Sequence, residues 1–346
     1  MLTPPSPSTP LWHNGYVLAF GSAALFSIKA IFIKLAYRYG VDVDTFILLR
    51  MSLALPFYLA IIFTLHRSDH WQPVTQRTLL QVVVLGLCSY YLASYLDLQG
   101  LRYISANFER LIIYLYPTLV LFLGWAFLGR RISMRQSLCI LCAYGGILLI
   151  FWQDQGFTTG VATPGWVNLS PLSWGALLTF GSALSFAIYV AFSENVIRTL
   201  GSRQFTALAM IAASAAIALH VLTRGDLSRL QQPWPVYGYA LTVAFVCTVM
   251  PSLMMSAAIQ KIGSATTGAI GTTGPIVTLL SAAWVLGEPF GVMHLIGMGV
   301  IIASLLMMKK PAAKTAAPMV EEGKDDAGGV KGEARTGQDL ASASKD

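Results

Sequence analysis

The sequence predicts an all-α integral membrane protein with about ten transmembrane helices, arranged as two inverted repeats of five helices. Three observations lead to this fold class: an apolar composition, ten apolar runs of membrane length, and a repeat between the two halves of the chain. Of the 346 residues, 55% are hydrophobic and 11% are charged, whereas about a quarter of the residues of a soluble domain are charged. The solvent of this chain is therefore lipid.

The ten helices are predicted from hydropathy, because about 20 mainly apolar residues are needed to cross the hydrocarbon core of a bilayer. They are placed at residues 15–37, 44–65, 77–98, 104–128, 134–152, 172–196, 203–222, 236–259, 265–286 and 290–308. Residues 1–14 and 309–346 are expected to be cytoplasmic, the latter as a disordered tail rich in Ala, Gly and charged residues. Residues 153–171 are expected to form an extracytoplasmic loop.

The orientation follows from the positions of Lys and Arg, which are retained on the cytoplasmic side of a membrane. With both termini inside, the inside segments carry eleven of these residues and the outside segments carry five. This favours a multi-pass protein of the cell inner membrane with both termini in the cytoplasm. The net charge of +7 lies between apolar runs rather than on one face, so we predict no nucleic-acid partner.

The two halves of the chain repeat. At an offset of 160 residues, nine of twenty positions from Gly15 to Lys34 are identical to those from Gly175 to Glu194. At an offset of 158 residues, Pro117 and Gly129 correspond to Pro275 and Gly287. The repeats cover residues 15–152 and 172–308, and an odd number of helices in each requires the second to enter the membrane from the opposite face.

Inverted repeats are typical of secondary transporters, in which one set of contacts forms both an outward-open and an inward-open state around a midplane site. The sequence therefore predicts a secondary active transporter of a small polar solute. The alternative is a non-transporting membrane receptor or assembly factor.

Several short motifs identify a related family. They are Gly-Ser-Ala near the start of each repeat, the run from Leu101 to Leu111 with Tyr116 and Pro117 beyond it, and, in the second repeat, Ile262-Gly-Ser-Ala, Gly274-Pro275 and Leu286-Gly287-Glu288. With these motifs the chain resembles the ten-helix EamA-type members of the drug/metabolite transporter superfamily. The first repeat departs from the pattern, because Arg130 stands where the acid of Leu-Gly-Glu is expected. The resemblance implies export of a metabolite such as an amino acid, through a cavity lined by helices one, three, four, six, eight and nine.

Lys29 is the clearest candidate for a functional residue, since a charge at the bilayer centre costs at least about 2.5–3.5 kcal/mol and calls for a partner or a function. It lies beyond the middle of the first helix, and its repeat counterpart is Tyr189. Lys29 is predicted to bind the solute, either as an anchor for a carboxylate or phosphate or as a proton carrier, with Tyr189 facing the same space. The alternative is a lysine that snorkels or forms a structural ion pair.

Four further charged residues lie near the outer ends of helices two, three and four, namely Arg50, Asp97, Glu109 and Arg110. They are predicted to form an ion-pair network, with Arg50, Asp97 and Arg110 as gate residues and Glu109 in contact with the solute. A static brace between helices explains the same residues.

Tyr91 and Tyr95 lie on one face of helix three and are predicted to line the cavity, although tyrosines near helix ends are often interfacial anchors. In helix nine, Thr272 is a candidate for solute binding. Gly271, Gly274 and Pro275 are candidates for gating, together with Pro117 in the corresponding helix of the first repeat. Small residues also permit plain close packing of helices, so that alternative stays open.

No cofactor or metal site is predicted, because the four cysteines lie inside apolar runs and no second ligand pair accompanies them. A phosphate-binding loop is also missing from the sequence. We therefore predict that the chain is not an enzyme. Its predicted partners are the solute, the membrane lipid, and either a proton or an exchanged solute as the coupling species.

The predicted orientation can be tested with single cysteines placed at Ser8, Ser133 and Thr158. We expect an impermeant thiol reagent to label Thr158→Cys in intact cells, and to label the other two variants only after the membrane is opened. The opposite pattern would reverse the orientation.

Overall fold

The structure is a computed structural model that describes residues 14–68, 71–129, 133–153, 160–224, 230–271, 274–288 and 291–307. The helices are α1 (Gly15–Ser27), α2 (Lys29–Tyr37), α3 (Val43–Arg67), α4 (Gln76–Gly86), α5 (Ser94–Gly100), α6 (Ala106–Ile113), α7 (Tyr116–Leu128), α8 (Met134–Gln153), α9 (Pro171–Leu200), α10 (Ser202–Arg224), α11 (Trp234–Ala244), α12 (Met250–Ile262), α13 (Ser264–Gly271), α14 (Gly274–Ser281) and α15 (Val292–Met307). The two π-helical segments Leu87–Ala93 and Phe245–Val249 join α4 to α5 and α11 to α12, and a third, Ala282–Leu286, follows α14. Arg130, Thr272 and the predicted tail 309–346 lie outside the described residues.

The prediction of an all-α membrane protein is confirmed. Within the described residues, seven helical segments are long and apolar enough to cross a membrane, while α8 and α15 include shorter apolar stretches. The helices stand at the ten predicted positions, and their ends differ from the predicted ends by four residues at most.

Local side chains explain where several helices begin and end. At four helix starts, a side-chain oxygen accepts a backbone N–H from two or three residues ahead, which satisfies a donor that the helix itself cannot; these residues are Asn14, Thr75, Ser105 and Ser170. Gly129 and Gly287, which are repeat counterparts, follow the last turns of their helices in the left-handed region, with φ of +65° and +66°. Glycine adopts this conformation without a steric penalty from Cβ.

The contacts between helices come in matched sets that relate the two repeats. The first helix of the first repeat, α1, packs against α12 of the second repeat. Its counterpart α9 packs against α5 and the π-helical segment Leu87–Ala93 of the first repeat. The second helices of the two repeats, α3 and α10, pack against each other, as do the last helices, α8 and α15. This pairing is the two-fold arrangement expected of inverted repeats.

Two membrane segments of the first repeat are broken near mid-depth. The first breaks at Ile28, between α1 and α2, and the fourth breaks at Tyr114 and Leu115, between α6 and α7. Pro117 stands at the second position of α7 and has no N–H to donate to the residue four places earlier, which explains the second break. The third and eighth segments, which are repeat counterparts, are instead interrupted by π-helical segments. Such segments commonly occur at functional sites.

The broken segments meet at one point, where side chains replace the missing helical hydrogen bonds. The Thr278 hydroxyl donates to the Ser27 carbonyl at 2.8 Å, and the Ser27 hydroxyl lies 3.3 Å from the Tyr114 hydroxyl. A Cβ added to Gly274 would overlap the Tyr114 hydroxyl and lie 2.5 Å from Ser27 Oγ. Gly274 is therefore required for this close approach of α1, α14 and the turn that follows α6.

Gly274→Ala tests this contact. We expect the substitution to destabilise the protein by about 1–3 kcal/mol, because the Tyr114 ring has to move out of a packed seam. Thermal unfolding of the protein in detergent measures the change.

Gly299→Ala in α15 is the matched control, since no atom of the described residues lies within 4 Å of a Cβ added there. It should leave the stability unchanged or slightly raised, because Ala favours a helix over Gly. Equal melting temperatures for the two variants would contradict the proposed contact.

Candidate functional site

A cavity lies at the centre of the molecule, between the two repeats. Its volume is about 110 Å³, which corresponds to three or four waters at roughly 30 Å³ each. The lining comes from the first, third, fourth, sixth, eighth and ninth membrane segments, the six that were expected. Both repeats therefore contribute walls to one space.

One wall of the cavity holds an ion pair. Lys29, the first residue of α2 after the break at Ile28, places its Nζ 2.6 Å from Asp97 Oδ2 in α5. The Asp97 side chain is 2% exposed and the Lys29 side chain is 14% exposed. Both side chains line the cavity, so a solute there meets one positive and one negative group side by side.

The other predicted charges gather beside this pair. Arg110 lines the cavity, whereas Glu109 lies behind it and is fully buried. Arg110 Nε is 3.5 Å from Glu109 Oε2, and the Glu109 and Asp97 carboxyl groups also interact directly. Arg50 of α3 is 2% exposed and lies in the electrostatic field of Asp97, but it does not line the cavity. The structure thus brings Asp97, Glu109 and Arg110 together with Lys29, whereas Arg50 forms no ion pair with an acid of the described residues.

Three tyrosines line the cavity, and they are not the three that were predicted to do so. Tyr90, Tyr114 and Tyr116 lie in the wall. The Tyr116 hydroxyl donates to the Gly268 carbonyl at 3.1 Å, and Gly271 lies directly beneath the same hydroxyl and also lines the cavity. The glycine row of the ninth segment therefore receives tyrosine side chains from the fourth, which is a packing role.

Tyr91, Tyr95 and Tyr189 lie away from the cavity. Tyr91 and Tyr95 share a face, as predicted, but that face packs against His220 of α10, and Tyr91 Oη is 3.0 Å from His220 Nδ1. The neighbouring Tyr90 lines the cavity instead, on the same helical face as Ala93, Ser94 and Asp97. Tyr189 is buried behind Tyr90, and their hydroxyls are 3.1 Å apart. Their predicted contact with solute is not supported by this geometry.

The remaining predicted residues are on the ninth segment. Thr272 lies outside the described residues. Gly274 and Pro275 begin α14, and Gly274 packs under Tyr114 as described above. Their predicted gating role, like that of Pro117, stays a prediction.

A glutamate caps a helix at each end of the molecule, and the sequence analysis assigned no role to either. At the end that carries residues 100–105 and 160–170, called the loop end, Glu288 accepts the backbone N–H groups of Ala106 and Asn107 at 2.9 and 3.2 Å. It also pairs with Lys34 at 3.1 Å. We call this contact of α2, α6 and the turn after α14 the loop-end latch.

The equivalent contact at the opposite end joins Glu194 of α9 to α13. Glu194 Oε2 accepts from Ser264 N at 3.1 Å and from Ser264 Oγ at 2.5 Å. We call this contact the opposite-end latch. The first residues of α6 and α13 are repeat counterparts, so the fourth helix of each repeat begins at a carboxylate of the second repeat, Glu288 for α6 and Glu194 for α13, as the helix dipole favours. Two features of the sequence could have indicated these roles: Glu194 is the repeat counterpart of Lys34, and Glu288 is the acid of the Leu286-Gly287-Glu288 motif.

Comparison with known proteins gives consistent results. A profile of the EamA-like transporter family matches residues 13–152 and again residues 173–309. The uncharacterized transporter YcbK of Bacillus subtilis is 28% identical over 308 residues, which cover 87% of this chain and 94% of that protein. A WAT1-related protein of Arabidopsis thaliana is 23% identical over 302 residues, which cover 80% of this chain and 84% of its own. A crystal structure with a TM-score of 0.58 and 14% identity covers 85% of this chain and 94% of its own, a likeness of fold.

The loop-end latch can be separated into its cap and its ion pair by two substitutions. Glu288→Gln should lower the free energy of unfolding by about 1–2 kcal/mol, because it weakens the helix cap and removes the ion pair. Lys34→Met keeps both backbone hydrogen bonds and should cost less than about 1 kcal/mol. Thermal unfolding in detergent compares the two.

Arg198→Met is the control, since it removes a more exposed pair with Glu194, at 3.1 Å. We expect little change in stability from it. A loss from Lys34→Met as large as that from Glu288→Gln would show that the ion pair, not the cap, holds the latch.

Proposed function

The chain belongs to the EamA-like transporter family, and from this premise we propose that it is a secondary active exporter of a small polar metabolite such as an amino acid. The central cavity with its Lys29–Asp97 pair is the observation that supports this proposal best. Membership of this family supports a membrane transporter. The solute, the direction of transport and the mechanism are parts of our proposal. We place the protein in the inner membrane with both termini in the cytoplasm, and assign it no enzymatic reaction.

The chemistry of the cavity suits a zwitterion. Lys29 and Arg110 offer cationic donors for a carboxylate, and Asp97 offers an acceptor for an ammonium group. The hydroxyl groups of Ser22, Ser89 and Ser182 add polar contacts, and two of them are engaged: Ser22 with the Pro251 carbonyl and Ser182 with the Ala93 carbonyl. An α-amino acid carries both of the required charges on one carbon. In this proposal it separates Lys29 from Asp97 and pairs with each.

Alternating access would use the two latches. The loop-end latch and the opposite-end latch are both formed in the structure, so the proposal needs only one of them to open at a time. Asp97 lies three residues before the end of α5, about one turn from the loop end. This position supports the proposal that Arg50, Asp97 and Arg110 form a gate on that side. The breaks in the first and fourth segments would let half-helices move while the rest stays packed.

Counterflow in liposomes tests this function. The purified protein is reconstituted with unlabelled amino acids, sugars or nucleosides inside, and uptake of the labelled compound is measured. We expect exchange of one class, with amino acids leading. Failure of every class, with the protein shown to be folded, would favour the receptor or assembly factor instead.

Lys29→Met should abolish this exchange, while Lys29→Arg should retain part of it if the residue is a charge clamp. Because Lys29→Met leaves Asp97 buried without its partner, it should also destabilise the protein. The double variant Lys29→Met/Asp97→Asn removes both charges and should regain stability without regaining transport. Lys261→Met, an exposed lysine at the end of α12, is the control for loss of positive charge and should transport normally.

A further inference from the structure

Asp97 and Glu109 form a pair of buried carboxyl groups whose hydrogen bonding is incomplete. Asp97 is 2% exposed and Glu109 is 0% exposed. The two groups interact directly, yet carboxylates have no hydrogen to donate to each other. As carboxylates, Asp97 Oδ1 and both Glu109 oxygens therefore lack a hydrogen bond from any residue that the structure describes.

One proton bound by the pair would supply a missing hydrogen bond. A protonated carboxyl group donates to its neighbour, so a single shared proton turns two unpaired acceptors into a hydrogen-bonded pair. Two carboxyl groups held side by side commonly share one proton, because their charges repel when both are ionised. Glu109 is the most buried charged side chain of the cluster. Its oxygens lack a hydrogen bond in the described part of the chain, and this observation indicates a bound proton.

We propose that Asp97 and Glu109 together bind the coupling proton, and that the ammonium group of the solute competes with that proton for the pair. This rests on the proposed transport function and names its coupling partner. When the solute binds, the proton passes from the carboxyl pair to water, and the solute ammonium takes its place beside the two carboxylates. When the solute leaves, water returns a proton, so one proton moves inward for each solute molecule moved outward.

The charged side chains around the carboxyl pair determine the net charge of the site before and after this exchange. Titratable side chains that interact electrostatically with the pair come from α2, α3, α6 and the turn after α6, and they are Lys29, Tyr37, Arg50, Arg110 and Tyr114. Three of them are basic, so the cluster stays cationic with or without the shared proton. The cationic groups therefore offer a site for the carboxylate of the solute in both states, and its ammonium group displaces the proton.

Lys29 is the less suitable proton carrier, because its Nζ already donates a hydrogen bond to Asp97 Oδ2 at 2.6 Å. Glu109 receives no hydrogen bond from the residues that the structure describes and lies behind Arg110, which lines the cavity. The shared proton is thus held between Asp97 at the cavity wall and Glu109 behind it.

Infrared difference spectroscopy of the reconstituted protein tests the proposal without any solute. Membranes are titrated with acid and base, and the C=O stretching band of protonated carboxyl groups is followed in H₂O and D₂O. We expect a titrating band that shifts in D₂O and is lost in Glu109→Gln. Glu288→Gln is the matched control, because the Glu288 carboxylate is occupied by two backbone N–H groups, and it should keep the band.

The outcomes separate this inference from the proposed transport function. A band that persists in both Glu109→Gln and Asp97→Asn, or no titrating band in the natural protein, overturns the proton site even if counterflow succeeds. If neither variant folds, the conservative variants Glu109→Asp and Asp97→Glu, which keep both carboxyl groups, are compared with the natural protein, and a band unchanged in both also overturns the proton site. A band lost in Glu109→Gln together with failed counterflow would leave the proton site standing and remove the transport proposal.

Discussion

Lipid offers no hydrogen bonds and no counter-charges, so a charged side chain in a membrane segment has to find its partners within the protein. In this chain those partners are on different helices. Lys29 of α2 meets Asp97 of α5, and Glu109 and Arg110 of α6 lie beside them. The cluster holds its low energy only while α2, α5 and α6 keep their relative positions. The same requirement therefore ties together the three helices that bound the cavity toward the loop end.

The backbone meets the same requirement wherever a helix is interrupted. Thr278 donates to the carbonyl of Ser27 at the break of the first segment, and Tyr116 donates to the carbonyl of Gly268 in the ninth. The free N–H groups at the starts of α6 and α13 are covered by Glu288 and Glu194. In these places a side chain from another segment replaces a regular helical bond. Such bonds can exchange partners without unfolding a helix, and they surround the cavity and its two ends.

The candidate site was predictable in part. Lys29, Asp97 and Arg110 were found because a charge in an apolar run is costly, and all three line the cavity. Tyr91 and Tyr95 were chosen from helical spacing, which fixes that two residues share a face but not what that face meets. Tyr90, seven residues before Asp97 and on the same helical face, lines the cavity instead. Glu288 and Glu194 were overlooked because they act on backbone N–H groups 182 and 70 residues away.

The sequence alone determined the helical membrane fold, the positions of its helices and the repeat between its halves. These properties depend on the length and hydropathy of continuous segments and on local capping residues, all of which are written along the chain. Only the tertiary structure decided which charges pair, which tyrosines face the cavity and which carboxylates cap the fourth helix of each repeat. The physical reason is that these contacts join segments far apart in sequence. Their partners depend on how the helical segments are rotated against one another, and in lipid an unpaired polar group is costly.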